Sequence, residues 1–277
     1  MGNFPEIVTF RITSRCNEDC KYCLAPKNIK ELGLEDLIRI FKLLHNEGTK
    51  AVVLTGGEPS IREDFGEIIR EIKKSNLRIF LDTNGSFFFK YKKLIDENVE
   101  VLGLPLDFSN RSYRNSGSID SILKILEYYK NKEKRPIVRI GTVVTKDNCK
   151  ELKKIGELLK NYSIDIWKIY EFLPQNINAI NNKDSLQIPI QAFKKLAEEI
   201  KKEFSDFFKV VVSKRSDRDK AYFFINSDGV VFMPLDNLNL CEEKIIGNIF
   251  DNNIVEKWEL FISKENYFRN IKDTFIV

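Results

Sequence analysis

The stretch from Ile7 to Cys23 reads IVTFRITSRCNEDCKYC, and it joins an apolar strand pattern to a group of three cysteines. Cys16, Cys20 and Cys23 fall within eight residues, on the loop that follows the strand. Three thiolates this close together can hold one metal centre, but they leave a four-thiolate site incomplete. The spacing therefore predicts a cubane iron–sulfur cluster with one iron open to a ligand from outside the protein.

A zinc site or an electron-transfer cluster is the alternative interpretation of these cysteines. Zinc usually takes paired cysteines with a fourth Cys or His, and the remaining candidates in the chain are His45, Cys149 and Cys241. His45 is the single histidine, so histidine-based acid–base catalysis is not expected. We expect Cys149 and Cys241 to be unbridged thiols, with Cys241 as a distant candidate for redox chemistry.

Length and charge limit the function classes. The chain has 277 residues and a formal net charge of +4, which is too small to argue for a nucleic-acid partner but permits a phosphorylated substrate. No apolar run reaches membrane-spanning length, and the N-terminal residues do not resemble a secretory signal. We therefore expect a cytoplasmic protein with no nucleic-acid or membrane partner, where clustered cysteines bind metal before they form disulfides.

Apolar strand patterns alternate with amphipathic helix patterns from residue 6 to about residue 204. Most of the strand segments are near-continuous apolar runs, as expected for parallel strands covered on both faces. Six β–α units in series predict a parallel sheet, either curled into a partial barrel or open, with its site at the carboxyl ends of the strands. The predicted strands are 7–13, 51–55, 78–83, 99–105, 137–145 and 164–172, and the predicted helices are 34–46, 65–74, 91–97, 119–131, 150–161 and 190–202.

The pattern changes after about residue 205. Short strands are predicted at 207–212, 221–226 and 230–233, with a hairpin turn at Ser227-Asp228-Gly229. A loop at 234–243, a short segment at 245–250 and a last helix at about 253–263 follow. We expect residues 1–205 to form the core domain and residues 206–277 to form a small α+β extension that closes one end of the sheet.

A second motif, Thr55-Gly56-Gly57-Glu58-Pro59, ends the second predicted strand. Two glycines allow the backbone to pass close to a ligand, and the Gly57 carbonyl and Glu58 carboxylate could then meet an ammonium group. Taken alone, the motif is a tight strand–loop turn. Its position one β–α unit after the cysteine loop favours a ligand site.

The CxxxCxxC spacing with Tyr22 before the last cysteine, together with the GGEP motif, resembles the radical S-adenosylmethionine (SAM) superfamily over roughly the first three-quarters of the chain. The resemblance implies a partial (β/α)6, TIM-like barrel of parallel strands. It implies a [4Fe–4S] cluster on Cys16, Cys20 and Cys23, with the open iron chelated by SAM. It also implies reductive cleavage of SAM to a 5′-deoxyadenosyl radical, with a flavodoxin or ferredoxin as electron donor.

The resemblance also implies which residues contact SAM. Some of these matches follow the third and fourth predicted strands, and another lies within the fifth. For the residues of these matches, the alternative to a SAM contact is a turn residue or an exposed arginine. The implied SAM contacts are Tyr22, Gly56, Gly57, Glu58, Pro59, Asn84, Ser86, Arg114 and Thr142.

Two branches of the superfamily share features with this chain. Residues 139–148 and 166–172 resemble strands of viperin-like enzymes, which dehydrate nucleoside triphosphates, and of cytosylglucuronate decarboxylases. Leu24-Ala25-Pro26 departs from the Phe-His sequence of viperins. Residues 221–233 and 245–249 resemble the peptide-modifying branch, which carries extra cysteines where this chain has Cys241 alone. We expect an unidentified small molecule as the substrate, with a nucleotide or another phosphorylated molecule as one option. A peptide substrate is the alternative, and a non-catalytic electron carrier or sensor is a remoter one.

Candidate substrate residues follow from position. Asp107, Lys168 and Glu171 fall at or near predicted strand ends, where they could point into the site. Arg215 and Arg218 belong to a basic run that could meet a phosphate or carboxylate. For this run, a solvated charged loop is the favoured interpretation.

Overall fold

The structure, a computed structural model, describes residues 4–108, 118–237 and 240–274. Its strands pair into one sheet with the spatial order β10-β9-β8-β1-β2-β3-β4-β5-β6-β7. The strands are β1 (Ile7–Thr13), β2 (Ala51–Gly56), β3 (Arg78–Asp82), β4 (Val101–Pro105), β5 (Ile137–Val144), β6 (Ile166–Glu171), β7 (Lys209–Ser213), β8 (Phe224–Ile225), β9 (Val230–Asp236) and β10 (Cys241–Asn248).

The six predicted helices of the core are confirmed, and further short helices follow β6, precede β8 and end the chain. Within the described ranges, no helix combines the length and the apolar character needed to cross a lipid bilayer. The helices are α1 (Leu34–Asn46), α2 (Phe65–Lys74), α3 (Phe88–Asn98), α4 (Ser118–Tyr129), α5 (Leu152–Leu159), α6 (Asn176–Asn181), α7 (Lys183–Leu186), α8 (Ile190–Phe204), α9 (Arg215–Arg218), α10 (Ile254–Glu259) and α11 (Lys264–Thr274), with a 3-10 turn at Pro59–Ile61.

The sheet is a partial barrel. It curves so that side chains from β1, β3, β6 and β9 line one cavity, and it stays open because β7 and β10 stand at opposite ends of the strand order. Strands β1 to β7 pair in parallel with their neighbours in sequence. The predicted α/β class and partial parallel barrel are therefore confirmed, with a seventh strand added to the predicted six. β7 begins after residue 205 and still pairs with β6, so the sheet continues across the predicted boundary. The division of the chain into two domains stays a prediction.

The chain forms two hairpins, β8–β9 and β9–β10, where the sequence predicted one. The turn at Ser227-Asp228-Gly229 is confirmed, with Gly229 at a φ of 84°. The loop predicted at 234–243 is wrong, because β9 runs to Asp236 and β10 begins at Cys241, paired antiparallel from one end of the ladder to the other. The sequence did not predict this strand because charged residues such as Glu242 and Lys244 interrupt its apolar pattern. Charges are common on an edge strand, where they discourage pairing with another chain.

Each strand of the parallel sheet divides its side chains between two environments. On β5, Val138, Ile140 and Val144 are fully buried in the main apolar core beneath the helices. Arg139 and Val143 point the opposite way and line a cavity on the concave side of the sheet. The same alternation operates on the neighbouring strands, so the concave face collects the polar and charged side chains of the barrel.

Candidate functional site

The cysteine loop leaves the carboxyl end of β1 and folds back over the barrel. Cys16, Cys20 and Cys23 line one cavity of about 1040 Å3. The Cys23 N–H donates to the Cys20 carbonyl at 3.1 Å, which tightens the turn between the two thiols. The Cys16 sulfur accepts from the Glu18 N–H at 3.4 Å and from the Asn84 side-chain amide at 3.9 Å. Such donors stabilise a thiolate, the form of cysteine that binds metal.

These thiols fit a cluster better than a mononuclear site. In the described chain, no three His, Cys, Asp or Glu side chains are close enough to hold a single metal ion. A cubane takes its cysteine ligands through separate irons, so its thiols need not converge on one point. Three thiols on one loop, lining a common cavity, have the donor set that a [4Fe–4S] cluster requires.

Gly56 and Gly57 are required by the cysteine loop itself. A Cβ on Gly57 would overlap the Arg15 carbonyl oxygen and lie 2.9 Å from the Cβ of Cys16. Gly56 has a φ of 153°, and its Cβ would overlap the Thr13 carbonyl oxygen. The Gly57 N–H donates to the Thr13 carbonyl at 2.9 Å. The glycines therefore dock the end of β2 against the first cysteine, in addition to any contact with a ligand.

Glu58 serves as an internal anchor. Its side chain is fully buried, and its carboxylate accepts hydrogen bonds from the Ser60 hydroxyl and N–H, from the Thr83 hydroxyl at 2.8 Å and from the Asn84 N–H at 2.7 Å. Burial raises the pKa of this carboxyl, against the effect of the hydrogen bonds. These bonds join the loops after β2 and β3, and the contact of the Glu58 carboxylate with an ammonium group stays a prediction. Pro59 is buried at the start of the 3-10 turn.

Asn84 and Ser86 tie the end of β3 to the cysteine loop. The Asn84 side-chain amide donates to the Asn17 side-chain oxygen (Oδ1) at 2.9 Å, and the Asn17 side-chain amide donates to the Ser86 hydroxyl at 2.9 Å. The Ser86 N–H donates to the Asn84 side-chain oxygen at 2.9 Å. Asn84 thus reaches the Cys16 sulfur and Ser86 reaches Asn17, and the contact of both residues with SAM stays a prediction.

Thr142 turns toward the core, and its contact with SAM stays a prediction. Its side chain is fully buried, and its hydroxyl donates to the Leu106 carbonyl at 2.6 Å and accepts from the Trp167 indole N–H at 2.9 Å. Because neighbouring residues of a strand face opposite sides, Gly141 and Val143 line the cavity in its place. The predicted contact of Arg114 lies outside the described residues.

Two adjoining cavities lie beneath the cysteine loop. The loop-side cavity, of about 250 Å3, lies between the cysteines and the ends of β2 to β5, with Gly57, Asn84 and Asp107 in its wall. The barrel cavity, of about 370 Å3, reaches into the interior, where Lys168 and Arg218 line it. The two share wall residues, and the shared residues are Cys20, Tyr22, Cys23, Thr55, Asp82, Arg139, Val143 and Tyr170.

The candidate substrate residues do not all reach these cavities. Asp107 lines the loop-side cavity, and Lys168, Glu171 and Arg218 line the barrel cavity. Arg215 instead pairs with Asp236 and donates to the Leu240 carbonyl at 2.9 Å. The expectation of a solvated basic loop is wrong, because both arginines are buried in and around the short helix α9.

Several site residues were missed from the sequence. Arg139 on β5 pairs with Asp82 on β3 over Gly103 of the intervening strand β4. Arg11 pairs with Glu243 at 2.6 Å and lies over the Phe232 ring at 4.6 Å. Both arginines are charged residues within largely apolar strands, and this pattern could have identified them as site residues. The remaining missed residues, Tyr170 and Tyr222, carried no comparable signal.

A partial α/β barrel with a three-cysteine loop after its first strand defines a class of iron–sulfur enzyme. A family model described as the Radical SAM superfamily matches residues 10–159, which are 150 of the 277 residues, and the chain belongs to that superfamily. The family uses a [4Fe–4S] cluster and SAM as its cofactors.

Curated relatives include GTP 3′,8-cyclases. The chain is 32% identical to the GTP 3′,8-cyclase of Aliarcobacter butzleri over 181 residues, which cover 62% of this chain and 52% of that protein. It is 28% identical to the probable GTP 3′,8-cyclase of Methanococcus maripaludis over 250 residues, which cover 86% of this chain and 80% of that protein. The match to the first of these spans about half the length of the relative.

Solved structures share the fold at low sequence identity. SuiB of Streptococcus suis bound to S-adenosylmethionine superposes with a TM-score of 0.72 at 13% identity, over 97% of this chain and 68% of that one. The protein anSMEcpe with bound AdoMet gives a TM-score of 0.70 at 21% identity, over 95% and 84% of the two chains. These likenesses establish the partial-barrel fold.

Proposed function

We propose that Cys16, Cys20 and Cys23 hold the [4Fe–4S] cluster, that SAM occupies the loop-side cavity, and that the substrate is a small anionic molecule in the barrel cavity. One observation carries the proposal. Cys20 and Cys23 line the same cavity as the buried cations Lys168 and Arg218. The cysteine loop and the two buried cations therefore border one continuous interior space.

When bound, the cluster and SAM supply a 5′-deoxyadenosyl radical. The chain's own residues hold the reaction space around them. Asn84 and the Glu18 N–H donate to the Cys16 sulfur, Gly57 allows the GGEP loop to lie against that cysteine, and Tyr22 bonds to Asp107 across the loop-side cavity. Fixed loops of this kind keep water and oxygen away from a reactive intermediate.

The barrel interior favours a small molecule over a peptide. Its volume of about 370 Å3 lies within the range of ligand pockets, roughly 300–1,000 Å3. Arg11, Arg139, Lys168 and Arg218 contribute four positive charges to its wall, against the carboxylates of Asp82 and Glu171. The names of the curated relatives point to a nucleotide substrate.

Peptide modification is the second candidate function. SuiB has been solved with its precursor peptide SuiA, and it shares this fold at 14% identity. That likeness concerns the fold alone, whereas the buried charges of the barrel cavity belong to this chain. We therefore place the peptide substrate second.

Residues 206–277 are proposed to close the barrel and to help select the substrate. Arg218, Tyr222, Phe224 and Pro234, all from this part of the chain, line the barrel cavity. We further propose a cytoplasmic enzyme that receives electrons from a flavodoxin or ferredoxin, because a reducing compartment maintains cysteine thiols for cluster binding.

The proposal is tested by anaerobic reconstitution with iron and sulfide, reduction, and addition of SAM. We expect 5′-deoxyadenosine and methionine by mass spectrometry. Cys20→Ala should lose the cluster, whereas Cys149→Ala, which changes a cysteine outside the loop, should retain it. A wild-type protein with an intact reduced cluster that forms no 5′-deoxyadenosine would contradict the proposal.

A further inference from the structure

Lys168 and Arg218 are buried cations that share one aromatic neighbour. Their side chains lie in the barrel cavity, and the residues are only 4% and 7% exposed. The Lys168 amine is 5.3 Å from the centre of the Tyr170 ring, and the Arg218 guanidinium carbon is 5.8 Å from the same point. Two positive charges thus converge on a single tyrosine inside the protein.

The other cavity arginines form close ion pairs, whereas neither of these two cations does so in the described part of the chain. Arg139 pairs with Asp82, and Arg11 pairs with Glu243. Among the described residues, Lys168 has no carboxylate oxygen within 4.0 Å. Within the described ranges, Arg218 donates to the backbone carbonyls of Lys214 and Glu171 and forms no close ion pair. A buried charge without a counter-charge is costly, and an anionic ligand in the cavity removes that cost.

Three hydrogen-bond donors remain available on this wall. They are the Lys168 amine, the second terminal nitrogen (Nη1) of Arg218, and the hydroxyl of Tyr170, which has no hydrogen-bond partner in the described chain. Burial raises the pKa of Tyr170, so its hydroxyl stays protonated and can donate near neutral pH. The wall therefore offers about two positive charges and three donors.

We infer that Lys168, Tyr170 and Arg218 bind a phosphoryl group of the substrate. A phosphate monoester carries a charge of about −1.5 to −2 at neutral pH and three strong acceptor oxygens, which matches both counts. A carboxylate, with one charge, would leave one cation unmatched. The inference rests on the proposed function for identifying the bound phosphate ester as the substrate. Because Cys20 and Cys23 line the same cavity, a phosphoryl group held here leaves the rest of the molecule on the cysteine side.

Calorimetric titration of the oxidised full-length protein, without reductant, tests the site directly. The probes are inorganic phosphate, pyrophosphate and GTP, with sodium chloride as the reference salt. We expect Lys168→Met to weaken phosphate and pyrophosphate binding by at least tenfold, and Lys168→Arg to recover part of the affinity. Tighter binding of GTP than of pyrophosphate would assign the phosphoryl group to a nucleotide.

Lys92→Met is the matched control. Lys92 is an exposed lysine whose amine lies 5.6 Å from the centre of the Tyr128 ring, outside both cavities. It should bind the probes like the wild type. Lys168→Met should also melt at the same temperature as the wild type or higher, since it removes a buried unpaired charge. A purely structural lysine would give the opposite shift.

The outcomes separate this inference from the proposed function. If Lys168→Met binds pyrophosphate as tightly as the wild type, or if the wild type binds neither probe, the inference is overturned, whatever the SAM-cleavage assay shows. If binding depends on Lys168 but no 5′-deoxyadenosine forms, the anion site stands and the proposed function fails. Arg218→Met should weaken phosphate and pyrophosphate binding as Lys168→Met does. If Arg218→Met does not fold, the Lys168 variants alone test the inference.

Discussion

The Tyr22 hydroxyl donates a hydrogen bond to the Asp107 carboxylate, and this links the cysteine loop to the end of β4. The second oxygen of Asp107 accepts from the Val143 N–H on β5 at 2.8 Å. The aromatic residue before the last cysteine is therefore connected to two strands on the far side of the loop-side cavity. The hydrogen bond of Tyr22 therefore restrains the part of the loop that carries Cys23.

Tyr22→Phe should loosen the cysteine loop without unfolding the barrel. A hydrogen bond to a charged group contributes about 1.5–3 kcal/mol, so we expect the cluster to be lost to oxygen several times faster. The decay of the cluster's visible absorbance in air measures this. Tyr128→Phe removes a comparable tyrosine–aspartate bond, to Asp96 at 2.7 Å, away from the cysteines. Equal decay rates in the two variants would show that the Tyr22 bond does not secure the loop.

Gly57→Ala should prevent cluster assembly. The added Cβ would overlap the Arg15 carbonyl oxygen and press on Cys16, and contacts with backbone cannot be relieved by a side-chain rotation. We expect iron and sulfide per protein to fall by more than half after reconstitution. Gly33→Ala is the control, because a Cβ there meets nothing within 4 Å. Full cluster content in Gly57→Ala would show that the two loops can separate without cost.

The charge on Lys168 should make stability depend on pH. Burial, then the neighbouring Arg139, lowers its pKa to about 8. The unfolded lysine, with a pKa of about 10.4, binds more protons than the folded one between these values. The contribution of Lys168 to the free energy of unfolding therefore rises with pH across this window and falls as the pH drops through about 8. The other charged or titratable groups facing it are Asp82, Tyr170, Arg218 and Asp273.

Urea unfolding of the wild type and of Lys168→Met measures this dependence. A shift from about 10.4 to about 8 corresponds to roughly 3 kcal/mol. We expect the advantage of the variant to be largest near neutral pH and to shrink by about that amount as the pH approaches 10. A difference between the two proteins that does not change with pH would mean that Lys168 titrates normally.

The fold was largely predictable because its strands are buried on both faces. Such strands are continuous apolar runs, and the helices between them carry clear apolar stripes. The predictions failed where burial is one-sided or partial. β10 is an edge strand with charged residues at Glu242 and Lys244, and α9 is a single turn built around the buried arginines Arg215 and Arg218.

The candidate site was predictable where chain-local spacing carries the chemistry, as in the three cysteines and the GGEP motif. It was not predictable where side-chain direction decides. The sequence cannot show that Glu58 turns inward to Thr83, or that Arg139 pairs with Asp82 over the intervening strand β4. Those contacts join residues far apart in the chain, and a shift of one position along a strand reverses the face of the sheet.

A substitution at Thr142 tests which side chains of β5 face the core and which face the cavity. Thr142→Val keeps the side-chain shape but leaves the Leu106 carbonyl and the Trp167 indole N–H without their partner in the core. Each unsatisfied buried group costs about 1–3 kcal/mol, so we expect a clear fall in the free energy of unfolding by urea. SAM affinity, measured by calorimetry on the reconstituted protein, should stay within twofold of the wild type. Gly141→Val places the added bulk in the loop-side cavity, beside the Tyr170 ring, and should weaken SAM binding instead. If Thr142→Val weakened SAM binding while leaving stability intact, Thr142 would face the ligand, and the assignment of the two sides of β5 would be reversed.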